Sequence, residues 1–203
     1  MSVRLLIEER CSDSVRLFRS LVLLIAIATL GYSGWIYFDQ YWHERRESEV
    51  FDRAREAGEP PPPVAGTFRA RLTIPRLHLI TMVEGGVGEN TLRRAAGHIR
   101  GTALPDRPGN VGVAAHRDTL FRRLKGIQKK DRIVLSTMTA DYSYVVVSTS
   151  IVSPDDISVL APSPDQKTLT LVTCYPFEFI GAAPKRFIVR ALLIDENVRG
   201  EPG

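Results

Sequence analysis

One cysteine stands where its thiol could do chemistry. Cys174 ends the β-favouring run TLTLVTC, and the next residues, Tyr-Pro-Phe (175–177), break that pattern. The chain has two cysteines, and Cys11 lies far away near the N-terminus, so no disulfide framework is available. We therefore interpret Cys174 as a free thiol. Its thiolate form would be a nucleophile.

A histidine and an arginine are candidate partners for this thiol. His116 ends the run NVGVAAH, and Arg186 begins the run RFIVRALLI. Side chains alternate between the two faces of a strand, so the apolar residues of these runs should fill a core. The same alternation predicts that Cys174, His116 and Arg186 all point away from that core.

The two runs that contain Cys174 and Arg186 are close in sequence, which favours antiparallel pairing. The end of the first strand would then meet the start of the second, and Cys174 would face Arg186. Arg190 would lie opposite Thr170, farther from the sulfur. Arg186 is therefore the better candidate for a cation beside the thiol.

These three residue types suit acyl transfer. A nearby imidazole and guanidinium both favour the thiolate over the thiol. The thiolate can attack a carbonyl carbon to form a thioester, while His116 protonates the leaving amine. Arg186 would stabilise the developing oxyanion or hold the substrate backbone. The alternative is that Cys174 is an inert core residue and His116 a structural one.

Composition limits the classes of protein to consider. The chain has 203 residues, of which 44% are hydrophobic and 25% charged, as expected for a globular domain with additional segments. Its formal net charge is +4, without a basic run long enough for a nucleic-acid tract, so we predict no nucleic-acid partner.

An uncharged segment near the N-terminus predicts a membrane helix. Residues 20–38 form a helix of roughly 28 Å, close to the thickness of the hydrocarbon core. A cleaved signal peptide is the alternative, but its only A-x-A triplet, Ala26-Ile27-Ala28, leaves too short an apolar region. We predict a single-pass signal anchor in the cytoplasmic (inner) membrane. Residues 1–19 would be cytoplasmic and the C-terminal domain extracytoplasmic.

The rest of the chain divides into a linker, a folded domain and a tail. Residues 39–66 should form a charged stalk and a proline-rich linker, since GEPPPPVAG (58–66) cannot continue a helix. The folded domain is predicted over 67–195, followed by a flexible tail over 196–203.

Within the domain, strands dominate. Two helices are predicted over 89–97 and 118–127, with Asp118 as the N-cap of the second. The pattern favours an all-β barrel or sandwich. Strands are predicted over 70–80, 110–116, 131–137, 142–152, 167–174 and 186–194.

Several motifs, in order, resemble the sortase family. TLVTC with an arginine twelve positions later is similar to the sortase signature, and HRDTLFRRL (116–124) resembles the histidine segment. The tail CYPFEFIGAAPKRFIVRA (174–191) resembles class D. The resemblance covers about residues 70–195, and the motifs TIPRL (73–77), GTALP (101–105) and GNVGVAAHRD (109–118) also fit it.

The resemblance implies a closed eight-stranded β-barrel with short helices in its loops. It also implies a cysteine transpeptidase, a thiol peptidase that cleaves a C-terminal Leu-Pro-x-Thr-Gly/Ala-type sorting motif of secreted proteins. The acyl group would pass from the thioester to an amine acceptor, such as a cell-wall precursor or a pilin. By the resemblance, Cys174 is the nucleophile, His116 the acid/base, Arg186 the oxyanion or substrate-binding arginine and Thr173 a supporting residue.

Alternatives remain beside this interpretation. The same site could act mainly as a peptide hydrolase, or the barrel could bind peptide without catalysis. His98 is the rival acid/base, and His78 is expected to be structural. Asp106 and Ala115 stand where the family pattern favours glycine or another small residue, which concerns loop shape. No metal-binding motif is present, so we predict no metal and no cofactor.

Overall fold

Eight strands form a closed barrel in the computed structural model, which describes residues 2–57, 68–179 and 181–198. Short 3-10 turns lie at Pro75–Leu77, Arg122–Gly126 and Ile157–Leu160. The elements are α1 (Ser2–Ala57), β1 (Arg69–Ile74), β2 (Leu79–Gly85), α2 (Glu89–Leu92), β3 (Ala96–His98), β4 (Gly109–Ala114), β5 (Arg132–Ser136), β6 (Ala140–Val152), β7 (Lys167–Tyr175) and β8 (Lys185–Val198).

The strand order around the barrel is β1-β2-β3-β4-β7-β8-β6-β5. Two pairings are parallel, β2 with β3 and β4 with β7, and the other six are antiparallel. The predicted all-β fold, a closed eight-stranded barrel with short helices in its loops, is confirmed.

Alternating apolar side chains fill the barrel. Leu169 and Leu171 of β7 are fully buried, and the neighbouring strands contribute residues of the same parity. The apolar faces predicted for the three runs around the site are therefore the inward faces. From β4 and β8 these core residues are Val111, Val113, Val189 and Ala191.

The predicted strand over 70–80 is two strands. Pro75 begins a 3-10 turn, because its fixed φ suits the first turn and it has no N–H to donate to a ladder. His78 ends the turn in the left-handed region with φ of 48°, and its N–H donates to the Pro75 carbonyl. The chain reverses here, and β1 pairs antiparallel with β2.

The two predicted helices are shorter than expected. In the first, α2 stops at Leu92, and Ala96–His98 forms β3 instead. A Cβ on Gly97 would lie 2.3 Å from the Gly86 carbonyl oxygen, so only glycine permits this approach of two backbones.

In the second predicted helix, only a 3-10 turn forms. Asp118 does not cap it, because the turn starts after Phe121 without a side-chain cap. Phe121 and Leu124 are both fully buried in the barrel core. Their packing, rather than helix propensity, sets the local conformation.

The N-terminal helix contains one apolar window. Phe18–Trp35 is long and apolar enough to cross a membrane, by length and composition. It belongs to a compact unit of residues 1–43, whereas residues 44–203 form the other unit. The predicted linker over 58–66 lies outside the described residues, as do 199–203 of the predicted tail.

The last turns of α1 pack against the barrel. Phe51 is fully buried with Met82 and Ala95. Arg71 of β1 forms an ion pair with Asp52 at 2.5 Å, and its guanidinium lies 5.7 Å from the centre of the Phe51 ring. The part of the predicted stalk that follows residue 44 therefore contacts the barrel directly.

At its C-terminal end the folded domain also extends beyond residue 195, where it was expected to stop. Strand β8 continues to Val198, which pairs with Ala140 of β6. The first three residues of the predicted tail over 196–203 therefore belong to the sheet.

We expect Phe51→Ala to lower the free energy of unfolding of residues 44–203 by about 3–4 kcal/mol, because it leaves a cavity between α1 and the barrel. Arg53→Ala, at an exposed position two residues away, is the matched control and should change little. Chemical denaturation followed by circular dichroism measures both. Equal stability of the two variants would contradict the packing of this segment.

Candidate active site

Three neighbouring strands bring the predicted site residues into one row. Cys174 and Arg186 are paired across β7 and β8, as the sequence predicted. The parallel ladder of β4 and β7 reaches the pair Ala114 and Val172. His116 lies two residues beyond Ala114, as Cys174 lies two beyond Val172. By this register the histidine segment, the thiol and the arginine lie at the same end of three neighbouring strands, which are spaced about 5 Å apart.

All three side chains have the outward parity of their strands. Cys174 is half-buried with a free thiol, Arg186 is half-buried and His116 is exposed. The sulfur is therefore on the outer face of the barrel, at the end of the strands where His116 and Arg186 also lie. This arrangement suits attack on a carbonyl with a proton donor and an oxyanion partner close by.

The backbone around His116 is held on both sides. The buried Thr173 hydroxyl donates to the Ala115 carbonyl at 2.8 Å. The Ala115 N–H donates to the Val172 carbonyl at 3.3 Å, and the Phe121 N–H donates to the His116 carbonyl at 3.0 Å. These bonds fix the chain that enters and leaves the histidine, which limits where its ring can lie.

The two arginines of β8 have different partners. Arg186 donates through Nη1 to the carbonyls of Ala183 and Lys185, at 3.3 and 3.1 Å. Arg190 lies opposite Thr170 and donates through Nη2 to the Ser163 hydroxyl at 2.9 Å. Arg190 thus stabilises the β6–β7 loop (residues 153–166), while Arg186 lies beside the thiol.

Two loops cover the outer face of β4. A Cβ on Gly112 would meet Leu160 of the β6–β7 loop and Thr102, both at 3.0 Å. Asn110, which the sequence analysis did not single out, donates to the carbonyls of Val159 and Ala161 at 3.1 and 3.3 Å. Its parity on the strand was the available signal, since a polar residue facing outward there must find partners in the loops.

The β7–β8 loop (residues 176–184) is tied to the segment that follows His116. Arg117, also missed by the sequence analysis, donates through Nη2 to the carbonyls of Phe179 and Gly181. Lys125 forms an exposed ion pair with Glu178, and this contact holds the pKa of the Glu178 carboxyl below its usual range. The loop between Cys174 and Arg186 thus has two contacts with the segment that follows His116, through Arg117 and through Lys125.

Two further histidines, His98 and His78, lie in other elements of the barrel. His98 is buried in β3, where its Nε2 is 3.0 Å from the Ala103 carbonyl and 3.1 Å from the Thr102 hydroxyl. His78 is exposed in the turn before β2. Among the described residues, no group of three or more His, Cys, Asp or Glu side chains could hold a metal ion.

A sequence model of the Sortase domain matches residues 72–194, which include the three site residues. The chain belongs to the sortase family. It is 34% identical to Sortase D of Bacillus subtilis (strain 168) over 127 residues. That alignment covers 63% of this chain, and the chain spans 64% of the length of this curated relative.

Solved sortase structures share the fold. A Clostridium perfringens Sortase D5 transpeptidase superposes with a TM-score of 0.62 at 27% identity, covering 77% of this chain and 98% of that one. Sortase E1 from Streptomyces coelicolor, with a tripeptide in the active site, gives 0.59 at 30% identity, covering 66% and 93%. The resemblance to sortases, class D among them, is therefore confirmed.

We expect Thr173→Val to slow the alkylation of Cys174 by iodoacetamide roughly threefold or more, because the backbone before His116 loses the bond that holds it and the imidazole moves relative to the nucleophilic sulfur. The variant should also lose about 1–2 kcal/mol of stability, since the Ala115 carbonyl is left without its donor. Peptide mass spectrometry distinguishes Cys174 from Cys11.

Thr168→Val is the matched control. Thr168 is equally buried and donates to the Gly109 carbonyl at 3.3 Å, at the other end of β7. It should lose stability without any change in alkylation. If both variants alkylate at the same rate, the Thr173 bond does not position the histidine.

Proposed function

We propose that this sortase is a membrane-anchored cysteine transpeptidase. The observation that supports this most strongly is the register of β7, which pairs Cys174 with Arg186 of β8 and runs beside β4 up to Ala114, two residues before His116. In this assignment Cys174 is the nucleophile, His116 the acid/base and Arg186 the oxyanion or substrate-binding residue. Thr173 supports them through the Ala115 carbonyl.

The first half-reaction forms a thioester. The Cys174 thiolate adds to the carbonyl carbon of the scissile peptide bond, and the oxyanion that develops accepts hydrogen bonds from Arg186. The C–N bond then breaks, and His116 gives its proton to the leaving amine. The acyl group remains on the sulfur. In the second half-reaction an amine loses a proton to His116, attacks the thioester and releases the thiolate.

The substrate in this proposal is a secreted protein with a C-terminal Leu-Pro-x-Thr-Gly/Ala-type sorting motif. Two features support an extended peptide as the ligand. Cys174 is half-buried on the outer face of β7, and the β6–β7 loop lies over the same face of the neighbouring β4, at Gly112 and Asn110. A related sortase, the Streptomyces coelicolor Sortase E1, has been solved with a tripeptide in its active site. The acceptor would be an amine of a cell-wall precursor or of a pilin.

The apolar window of α1 supports a single-pass anchor in the cytoplasmic membrane, with the barrel on the extracytoplasmic side. Alkaline phosphatase fused after Gly203 should then be active, because that enzyme needs an oxidising compartment. The mature protein should keep residues 20–38. Inactive fusions, or a mature N-terminus near Thr29, would contradict the anchor.

The three catalytic assignments predict different losses of activity. Cys174→Ala should abolish cleavage and acyl-enzyme formation while the fold persists, because its side chain points out of the barrel. His116→Ala should be nearly as inactive, for want of a proton donor. Arg186→Ala should slow the reaction roughly 100- to 1000-fold, the usual effect of losing one oxyanion donor.

The assay uses a quenched Leu-Pro-x-Thr-Gly peptide with and without an amine acceptor, and mass spectrometry of the acyl-enzyme. His78→Ala is the matched control for the histidine, because His78 is exposed in the turn between β1 and β2. Release of acid product alone, at any amine concentration, would support the hydrolase alternative. Binding of the peptide without cleavage would support the non-catalytic one.

A further inference from the structure

Arg117 is a buried arginine next to the proposed acid/base. Only 9% of its surface is exposed, and its Nη2 donates to the carbonyls of Phe179 at 2.5 Å and Gly181 at 2.9 Å. Its guanidinium also lies 5.8 Å from the centre of the Phe179 ring. The side chain thus reaches from the histidine segment to the middle of the β7–β8 loop.

The far half of the same loop holds Arg186. The carbonyls of Ala183, within the loop, and of Lys185, the first residue of β8, accept from the Arg186 guanidinium. The loop leaves β7 just after Cys174 and enters β8 just before Arg186, so its conformation decides where these carbonyls lie. Two arginines therefore share one loop, with Arg117 bound to its middle and Arg186 bound to its end.

Stability alone does not account for the placement of Arg117. Its Nη1 is buried and has no hydrogen-bond partner within residues 2–57, 68–179 and 181–198. Burying a donor without a partner costs free energy of folding, and a smaller residue at this position would avoid that cost. The arrangement is better explained by the contact that it makes with the loop.

We propose that Arg117 is a positioning residue for Arg186, because it fixes the β7–β8 loop, whose Ala183 carbonyl accepts from the guanidinium of Arg186, the residue paired with Cys174. This rests on the role of Arg186 under the proposed function. Without the Arg117 contacts, the loop would sample other conformations and the guanidinium would leave the oxyanion position. The oxyanion of the transition state would lose a hydrogen-bond donor, while the bound substrate would lose little binding energy.

The chain offers a matched control in a second link between the same two segments. The ion pair of Lys125 with Glu178 also joins the β7–β8 loop to the segment after His116, but its side chains are 65% and 67% exposed. Exposed pairs contribute little to holding a conformation, because water and salt compete for both charges. Glu178→Gln should therefore leave the kinetic constants within about twofold of the original protein.

The experiment compares Arg117→Gln, Arg186→Ala, the double variant and Glu178→Gln, each in the full chain in detergent micelles. The assay is cleavage of the Leu-Pro-x-Thr-Gly peptide with an amine acceptor. We expect Arg117→Gln to lower kcat roughly 10- to 100-fold, the scale of a small misplacement, with KM within about threefold. The double variant should be little slower than Arg186→Ala, because both changes remove the same interaction.

Three results would overturn the proposal. The first is a kcat near the original value for Arg117→Gln. The second is that the losses from Arg117→Gln and Arg186→Ala multiply in the double variant. The third is that Arg117→Gln changes KM alone. If Arg117→Gln does not fold, Arg117→Lys keeps the charge and one donor, and the same coupling with Arg186→Ala decides the question. Full activity of Arg186→Ala would instead refute the role of Arg186 in the proposed function, and this inference with it.

Discussion

The register of β7 against its two neighbours is the constraint on which the site depends. Its antiparallel ladder with β8 pairs Cys174 with Arg186, and its parallel ladder with β4 ends at Ala114, two residues before His116. A shift of one residue would turn Leu169 and Leu171 out of the core and bury Cys174 in their place. Exposing each leucine would cost about 2–3 kcal/mol, so the apolar core fixes the position of the reactive thiol.

Much of the site could be predicted because strand parity is a local property. The alternation in TLTLVTC is visible without any structure, and it assigns Cys174 to the outer face and Thr173 to the inner one. Alternation alone could not predict that the barrel is closed, because a sandwich has the same pattern. The prediction of a closed barrel came from the family resemblance. The turn at Pro75 and strand β3 were missed because three-residue elements are set by packing rather than by periodicity.

Contacts between distant residues explain the remaining differences. Arg117 and the Phe179 carbonyl are 62 positions apart, and no local pattern links them. The segment of α1 that contains Phe51 is rich in charge, so its composition predicts a solvated stalk. Its one aromatic residue is nevertheless buried against Met82. A single aromatic side chain on a charge-rich helix gives little signal in a sequence, although its burial decides where the helix packs.

The difference between Arg186 and Arg190 shows why their shared face does not give them a shared function. Both have the outward parity of β8, but Arg190 is bound to a side-chain hydroxyl of the β6–β7 loop. Arg186 is bound to backbone carbonyls, and it forms no ion pair with the residues that the structure describes. A carboxylate partner would compete with an oxyanion for the guanidinium, whereas a neutral carbonyl competes weakly, because hydrogen bonds between two charged groups are stronger. In the role proposed for Arg186, the carbonyls would hold its guanidinium in the free enzyme without neutralising the charge that stabilises an oxyanion.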